Sequence, residues 1–190
     1  MEIITEAELQ QRLPEIVERI KNGAVFIYPT DTIYGIGCNA LDEKAVNKIR
    51  KLKESHTSPF SIIPSKGREW IAENCLITKE EVEEWIAKLP GPYTLILKLK
   101  NKKTIAKSVN ADEDTIGLRI PDHWFSKVIE ELGFPIVTTS ANRSARPFMT
   151  SLEDLDQVIE DNVDFIIYEG EKKGRPSKIV NLVEGNVKER

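Results

Sequence analysis

Four short polar segments carry the side chains of this sequence that are best suited to chemistry, and each one follows an apolar run. They read Pro-Thr-Asp-Thr-Ile-Tyr-Gly at 29–35, Gly-Leu-Arg-Ile-Pro-Asp-His at 117–123, Thr-Thr-Ser-Ala-Asn at 138–142 and Arg-Pro-Ser-Lys at 175–178. Hydroxyls and amides bind ligands through directed hydrogen bonds, and an arginine can hold a carboxylate with two parallel hydrogen bonds. Because α/β proteins place ligand groups at strand ends, the segments predict a site for an amino acid beside the phosphates of a nucleotide.

Each segment also has a purely structural interpretation, which the sequence alone leaves open. Thr30 and Thr32 could cap the turn that contains them, and Arg119 could form an ion pair that only supports the fold. Ser140 and Asn142 could likewise cap a turn. Two rings have comparable alternatives, namely a helix cap for His123 and a core position with a hydrogen-bonded hydroxyl for Tyr34.

Several motifs that would assign a different chemistry are missing from the sequence. There is no Gly-x-x-x-x-Gly-Lys-Ser/Thr phosphate loop and no Gly-x-Ser-x-Gly nucleophile turn, and Gly35-Ile-Gly37 lacks the third glycine of a dinucleotide-binding fingerprint. His56 and His123 are the only histidines, which argues against a histidine-rich metal site. Cys38 has no basic partner in the sequence pattern. We therefore expect no catalytic nucleophile and no metal held by protein side chains.

The composition predicts one sizeable core and no membrane span. The chain has 190 residues and a net charge of −4, and its apolar runs fall well short of the roughly 20 residues of a membrane helix. The N-terminus lacks the pattern of a signal peptide, and Cys38 and Cys75 lie far apart in sequence, so we expect a reducing cytoplasm. The net negative charge disfavours nonspecific electrostatic binding of nucleic acid. The lysine-rich stretches at 48–53 and 98–107 are either solvated faces or a shallow rim that attracts phosphate.

Apolar periodicity and breaker residues predict alternating strands and helices. Strands are predicted at 24–28, 60–63, 94–100, 115–120, 135–139, 163–168 and 179–183. Helices are predicted from near Pro14 to Gly23, from Asp42 to Leu52, at 66–74, from a capping box of Thr78 with Glu81 to Leu89, at 123–132, and from a capping box of Thr150 with Glu153 to Asp161. We expect one α/β domain over residues 1–190, with a mixed, twisted sheet of about six or seven strands flanked by helices.

Taken together, these segments resemble the YrdC/YciO family, whose best-known members are threonylcarbamoyl-AMP synthases. The matching pieces are Tyr-Pro-Thr-Asp-Thr-Ile-Tyr-Gly-Ile-Gly at 28–37, Leu-Pro-Gly-Pro-Tyr-Thr at 89–94, Thr-Ile-Gly-Leu-Arg-Ile-Pro-Asp-His at 115–123, Thr-Thr-Ser-Ala-Asn at 138–142 and Pro-Ser-Lys-Ile-Val at 176–180. They occur in family order through essentially the whole chain. The resemblance implies a single YrdC-like domain, an open twisted α/β sheet with a large concave ligand cavity, without the additional C-terminal domain of longer members.

The resemblance also implies an activity. Family synthases join L-threonine, bicarbonate and ATP into threonylcarbamoyl-adenylate and release pyrophosphate. A partner transferase then moves the threonylcarbamoyl group onto an adenosine of certain tRNAs. Such a reaction mainly needs reactants held in line and negative charge neutralised. Positioning side chains and Mg²⁺ bound with ATP would therefore suffice, without a catalytic residue.

The family pattern assigns roles to individual positions of this sequence. Threonine binding is implied for Thr32, Arg119, Thr138 and Ser177. Nucleotide binding is implied for Lys53, Thr115, Ser140, Asn142, Phe148 and Arg190. Lys53 matches the first lysine of the Lys-x-Arg motif of the family.

One loop departs from the family pattern. Residues 53–60 read Lys-Glu-Ser-His-Thr-Ser-Pro-Phe, so Ser55 stands where the family has arginine, and Ser58 precedes the proline where lysine is common. The phosphate-binding loop is thus short of two cations. Lys178, which replaces a common threonine after Ser177, restores one positive charge in this part of the sequence.

The altered loop leaves three interpretations open. The first is a working synthase that rebuilds its phosphate site with Lys53, Lys178 or Arg190. The second is a YciO-like paralogue that binds a nucleotide, tRNA or double-stranded RNA and has weak or no synthase activity. The third is a pure RNA-binding module that uses the lysine-rich stretches, which the acidic net charge disfavours.

Overall fold

The computed structural model describes residues 1–55 and 57–188 of the chain. The strands are β1 (Glu2–Ile4), β2 (Phe26–Tyr28), β3 (Gly35–Gly37), β4 (Ser61–Ile63), β5 (Tyr93–Lys98), β6 (Thr115–Leu118), β7 (Ile136–Ser140), β8 (Phe165–Ile167), β9 (Lys178–Asn181) and β10 (Asn186–Lys188). The α-helices are α1 (Glu6–Gln11), α2 (Leu13–Lys21), α3 (Glu43–Leu52), α4 (Gly67–Asn74), α5 (Glu80–Ala87), α6 (Lys107–Asn110), α7 (Phe125–Leu132) and α8 (Gln157–Glu160). Within these described ranges, no helix is long and apolar enough to cross a membrane.

The strands of the described residues form one mixed sheet in the order β1-β8-β2-β3-β7-β4-β6-β5-β9-β10. β8 runs parallel to β1 and to β2, β4 runs parallel to β6, and β5 runs parallel to β9. The other neighbouring pairs are antiparallel. The predicted mixed α/β sheet is therefore confirmed.

Three strands, β1, β3 and β10, are not predicted by the sequence. Each is only 3 residues long, which is too short to show a repeat with a period of two. β3 also contains two glycines, which strands disfavour. Glycine is needed there, because a Cβ on Gly37 would lie 2.6 Å from the carbonyl oxygen of Val137 and 2.9 Å from the ring of Tyr28.

Both faces of the sheet are covered around β2. Phe26 and Tyr28 point into one apolar cluster, where Phe26 stacks on Phe165 at 5.2 Å and Tyr28 stacks on Phe125 at 5.0 Å. Ile27 points into the second cluster on the opposite face. Burial of each such ring contributes roughly 1.5–3 kcal/mol. This double burial explains why the strand reads as a continuous apolar run in the sequence.

The predicted capping box of Thr78 with Glu81 is wrong. α5 begins only at Glu80, so Lys79 occupies the N-cap position, and no side-chain hydrogen bond caps the helix there. Thr78 lies one residue further out, beyond reach of the first turn. The acidic first turn still favours this helix start through the helix dipole.

The second predicted capping box is displaced by one residue. Ser151 and Asp154 form it, in place of Thr150 and Glu153, and it closes a 3₁₀ turn at Leu152–Asp154. The α-helix that follows is the short α8, capped by the side chain of Asp156. The predicted continuous helix to residue 161 is therefore wrong, because the chain leaves the helical conformation at the residue before the Asp156 cap.

An interior cation fixes the loop that departs from the family pattern. Arg50 lies on the buried face of α3 and is 7% exposed. Its guanidinium lies 4.5 Å from the centre of the Phe60 ring. It donates to backbone carbonyl oxygens at 2.6–3.3 Å, those of Ser55, Ser58, Ser108 and Val109. Arg50 thus holds both arms of the loop that leads from Lys53 to β4.

We expect Arg50→Ala to lower the free energy of unfolding by about 2–4 kcal/mol, because buried carbonyl groups would lose a charged donor. Urea denaturation followed by circular dichroism measures this change. Lys51→Ala removes the exposed neighbouring cation and should change stability by less than about 0.5 kcal/mol. Equal effects of the two substitutions would contradict the role given to Arg50.

Candidate functional site

The turn between β2 and β3 is held in shape by Thr30. Its hydroxyl accepts hydrogen bonds from the backbone N–H groups of Thr32 at 3.2 Å and Ile33 at 3.3 Å, and it donates to the carbonyl oxygen of Ile33 at 2.6 Å. The turn-capping interpretation is therefore confirmed for Thr30. The hydroxyl of Thr32 lies 3.1 Å from that of Thr30 and turns toward the end of β6.

Arg119 follows β6 and meets this turn while only 7% exposed. Its Nη2 donates to Asp31 Oδ1 at 2.6 Å, to Thr32 Oγ1 at 2.6 Å and to Thr30 Oγ1 at 3.2 Å. Its Nε is buried and has no hydrogen-bond partner among the described residues. A buried donor without an acceptor costs about 1–3 kcal/mol. Arg119 thus forms the predicted structural ion pair through Nη2 and retains one buried N–H without an acceptor among the described residues.

Two further residues predicted to bind threonine line a cavity with Arg119, which we name the Arg119 cavity. Thr138 accepts a hydrogen bond from the Tyr28 hydroxyl at 2.7 Å, and Ser177 lies 2.7 Å from the hydroxyl of Thr94. The cavity has a volume of about 30 Å³ in this structure. Its polar lining consists of Ser61, Thr94, Arg119, Thr138, Thr139, Ser140 and Ser177. The sheet therefore brings residues that are distant in sequence into one hollow.

Three of the residues predicted to bind the nucleotide meet at the end of β7. Lys53 is 6% exposed, and its Nζ donates to the carbonyl oxygens of Ser140 and Asn142, each at 2.6 Å. The Ser140 hydroxyl donates to Asn142 Oδ1 at 2.5 Å. Asn142 Nδ2 donates to the carbonyl oxygens of Arg143 and Arg146, so its turn-capping interpretation is confirmed as well. The ammonium charge of Lys53 lies directly under this turn.

Thr115 lies apart from those three residues. It lines a second hollow, the Thr115 hollow, together with Phe60 and Glu113, and its hydroxyl donates to Glu113 Oε2 at 3.3 Å. This hollow has a volume of about 380 Å³. Ser61 and Thr94 line both hollows. The Thr115 hollow and the Arg119 cavity are therefore adjacent.

The structure adds no support for the nucleotide-binding roles predicted for Phe148 and Arg190. Phe148 is half-buried in the loop after β7 and is not among the residues that line either hollow. Arg190 lies outside the described residues. Lys178, offered as a replacement cation, is exposed on β9 beside the buried Ser177.

His123 and Tyr34 both have the structural roles that the sequence left open for them. His123 Nδ1 accepts a hydrogen bond from the N–H of Phe125 at 3.2 Å, so it does cap the start of α7. The hydroxyl of Tyr34 donates to the carbonyl oxygen of Gly170 at 2.7 Å and accepts from the N–H of Glu169 at 3.1 Å. Burial raises the pKa of Tyr34 to about 12, so its phenol is neutral at physiological pH. Tyr34 also lines the Arg119 cavity.

Several residues at the site carry no signal in the sequence. Ser61 and Thr94 line both hollows, but a lone hydroxyl within an apolar strand is common in proteins of any function. Asp31 lies in one of the four polar segments. The sequence gives no sign of its contact with Arg119, because the two residues belong to elements far apart in the chain. Glu169, which bonds His123, follows a strand as an ordinary charged residue.

The chemistry that this site can perform is binding and orientation. Cys38 and Cys75 are both buried, and burial raises the pKa of Cys75 to about 12 and that of Cys38 well above its usual range. Neither thiol is available as a thiolate nucleophile. Among residues 1–55 and 57–188, no group of three or more His, Cys, Asp or Glu side chains could hold a metal ion.

Comparisons with known proteins identify the family of the chain. A family model described as telomere recombination, for the Sua5, YciO and YrdC proteins, matches residues 18–189. A Methanocaldococcus jannaschii protein, described as a provisional threonylcarbamoyl-AMP synthase, is 35% identical over 97% of this chain and 86% of its own length. The Vibrio campbellii threonylcarbamoyl-AMP synthase is 28% identical over 87% of this chain and 91% of its own length.

Two solved structures have the same fold. P. abyssi Sua5 complexed with L-threonine superposes with a TM-score of 0.83 at 29% identity, over 98% of this chain and 55% of that chain. E. coli YciO superposes with a TM-score of 0.80 at 25% identity, over 95% of this chain and 89% of that chain. This chain thus spans about half the length of P. abyssi Sua5. Matched over nearly its whole length in both sequence and structure, the chain belongs to the Sua5/YciO/YrdC family.

Proposed function

We propose that this protein is an L-threonylcarbamoyladenylate synthase, which forms threonylcarbamoyl-AMP and pyrophosphate from L-threonine, bicarbonate and ATP. The observation that carries the proposal is the buried Nε of Arg119, which has no acceptor among the described residues. A carboxylate is the acceptor that a guanidinium prefers. The L-threonine complex of P. abyssi Sua5 supports an amino acid as the source of that carboxylate.

The threonine end of the site consists of Arg119 and the hydroxyls around it. Arg119 Nε donates to the substrate carboxylate, while its Nη2 stays bound to Asp31 and Thr32. Tyr28 already donates to Thr138, so the Thr138 hydroxyl keeps its own hydrogen for a ligand. Ser177 stands beside Thr94 and faces the substrate from the opposite wall of the cavity.

The nucleotide end consists of the turn after β7 and the hollow beyond it. Ser140 belongs both to the Arg119 cavity and to the turn that Lys53 supports, so it stands between amino acid and phosphates. Lys53 neutralises part of the phosphate charge from beneath the turn. Thr115, in the adjacent hollow, contacts the more distant part of the nucleotide.

The reaction needs two bond-forming steps at this junction. The neutral amine of threonine attacks the carbon of bicarbonate; the C–OH bond breaks, the departing hydroxide takes a proton from the amine nitrogen and leaves as water, and a carbamate remains. A carbamate oxygen then attacks the α-phosphorus of ATP, and pyrophosphate leaves. Neither step requires a protein nucleophile. Holding the three reactants in line removes most of the entropic barrier, and the cationic side chains stabilise the charge that moves toward the leaving group.

Mg²⁺ would enter this site bound to ATP and would neutralise charge at the phosphates beside Lys53 and Ser140. Metal–nucleotide complexes commonly retain several waters and need few protein ligands. Downstream, a tRNA threonylcarbamoyl transferase would accept the adenylate and modify an adenosine of tRNA. We place this enzyme in the cytoplasm, and the two buried, unpaired cysteines support that placement.

Direct contact of this chain with tRNA or double-stranded RNA is a separate proposal with weaker support. Much of the lysine-rich stretch 98–107 is engaged locally. Lys98 pairs with Asp114 at 3.0 Å, and Lys102 donates to the carbonyl oxygen of Asp112 at 2.6 Å. The YciO-like alternative is also less favoured, because curated relatives from Vibrio campbellii and Pyrococcus abyssi are named threonylcarbamoyl-AMP synthases.

With ATP, Mg²⁺, bicarbonate and L-threonine present, we expect the purified protein to release pyrophosphate and to form threonylcarbamoyl-AMP. A coupled pyrophosphate assay and mass spectrometry of the product measure this reaction. Omission of either threonine or bicarbonate should abolish turnover. Pyrophosphate release that ignores both omissions would remove the synthase assignment.

Arg119→Ala should raise the KM for L-threonine about tenfold to a hundredfold, because a charge-assisted hydrogen bond contributes about 1.5–3 kcal/mol. The KM for ATP should change much less. Steady-state kinetics with each substrate varied in turn separates the two effects. Arg12→Ala is the matched control, since Arg12 pairs with Glu2 and Glu15 on the surface. An unchanged threonine KM in Arg119→Ala would overturn the site assignment.

Ser140→Ala should show the opposite selectivity and raise the KM for ATP more than that for threonine, by about fivefold to tenfold for one lost hydrogen bond. The same two-substrate kinetics measures it. Ser144→Ala is its control, because Ser144 is exposed on the same loop. The nucleotide assignment fails if the two serine variants behave alike.

A further inference from the structure

Residues 169–177, which we name the strap, lead from the end of β8 into β9 and cover one side of the Arg119 cavity. The strap has no regular secondary structure, and it contributes Pro176 and Ser177 to the cavity lining. It lies so close to the β2–β3 turn that a Cβ on Gly174 would be 2.2 Å from the carbonyl oxygen of Thr32. The position of the strap therefore fixes the distance between two walls of the proposed threonine site.

The start of the strap is fixed by the carboxylate of Glu169. Its Oε2 accepts from Trp124 Nε1 at 2.6 Å, and its Oε1 lies 2.9 Å from His123 Nε2 and also accepts from Lys172. His123 uses its Nδ1 to accept from the N–H of Phe125, so Nε2 carries the hydrogen and donates to Glu169. Three donors thus converge on one carboxylate.

The Glu169 carboxylate is held in its charged form. Its side chain is 23% exposed, and that of His123 is 10% exposed. Burial raises the pKa of Glu169, but the hydrogen bonds from Lys172, Trp124 and His123 outweigh burial and leave this pKa below its usual range. Charge-assisted hydrogen bonds are roughly twice as strong as neutral ones. A neutral side chain at this position would therefore hold the strap less firmly.

The segment that Glu169 contacts is the one that carries Arg119. His123 follows Arg119 in the same loop, and between them the N–H of Asp122 donates to Asp31 Oδ2 at 3.2 Å. The other oxygen of Asp31 accepts from Arg119 at 2.6 Å. The strap, the Arg119 loop and the β2–β3 turn thus form a closed ring of contacts around the threonine end of the site.

We propose that Glu169 is a positioning residue for the amino-acid substrate: it clips the strap to the Arg119 loop and so sets the wall that Ser177 presents to L-threonine. We call this attachment of the strap to the Arg119 loop by Glu169 the clip. The identity of the substrate rests on the function proposed above, whereas the existence of the clip does not. Lys53 donates to the carbonyl oxygens of Ser140 and Asn142, and the Ser140 hydroxyl donates to Asn142, so we expect the clip to act mainly on the amino-acid end of the site.

The test compares Glu169→Ala and Glu169→Gln with Glu171→Gln, which changes an exposed carboxylate in the same strap. Hydrogen exchange of peptides from the strap, followed by mass spectrometry without substrate, should speed up about tenfold or more in Glu169→Ala, since one anchor of a local structure is lost. Glu169→Gln should be intermediate, and Glu171→Gln should match the unsubstituted protein.

Kinetics provides the second measurement. Glu169→Ala should raise the KM for L-threonine about tenfold and change the KM for ATP by less than about twofold, because only the amino-acid wall moves. A merely structural role would lower thermal stability and impair both substrates together. If Glu169→Ala does not fold, Glu169→Gln decides the result alone, with a smaller change of the same selectivity.

The outcomes are distinct. Faster strap exchange together with a selective loss of threonine affinity supports the proposal. Exchange equal to that of Glu171→Gln overturns the clip, and faster exchange with an unchanged threonine KM overturns the positioning role. If even the unsubstituted protein makes no adenylate, the proposed function fails, and the exchange measurement still decides whether Glu169 holds the strap.

Discussion

The burial of one guanidinium organises this protein's site. Arg119 sits at the end of an interior strand, and a charged group there is tolerated only if acceptors surround it. The β2–β3 turn supplies them through Asp31, Thr30 and Thr32, and the turn can do so because Thr30 first satisfies its own backbone. The buried Nε of Arg119 keeps no acceptor among the described residues.

Two tyrosines connect the apolar core to this polar centre. Tyr28 and Tyr34 flank the β2–β3 turn, and both rings are fully buried. Tyr28 stacks on Phe125 and extends its hydroxyl to Thr138, whereas Tyr34 stacks on Tyr168 and extends its hydroxyl to the strap. Such rings combine a large buried area with one directed polar atom. The two tyrosines thereby connect the apolar core on the two faces of the sheet to Thr138 and to the strap.

The sequence predicts the parts of this structure that depend on local pattern. Long apolar runs locate the interior strands, and the hydroxyl-rich segments that follow them include Thr32, Arg119, Thr138 and Ser177, which the sheet does bring together. A local pattern does not predict the three-residue strands or the exact helix starts, because tertiary contacts such as the fit of Gly37 against Tyr28 decide them. Such a pattern does not predict the role of Glu169 either, since its partners His123 and Trp124 belong to another loop. A matching motif assigns Thr115 to the nucleotide, and this stays a prediction: its side chain lines the Thr115 hollow, where its hydroxyl donates to Glu113.

The position of Ser61 and Thr94 between the two hollows bears on the lifetime of the carbamate, which is the least stable species of the proposed reaction. Carbamates of amino acids revert to amine and carbon dioxide when they escape into bulk water. Ser61 and Thr94 line both hollows, so the space proposed for the amino acid adjoins the space proposed for the nucleotide. On that proposal, a carbamate formed beside Ser140 meets the phosphorus within the protein and does not diffuse through bulk solvent.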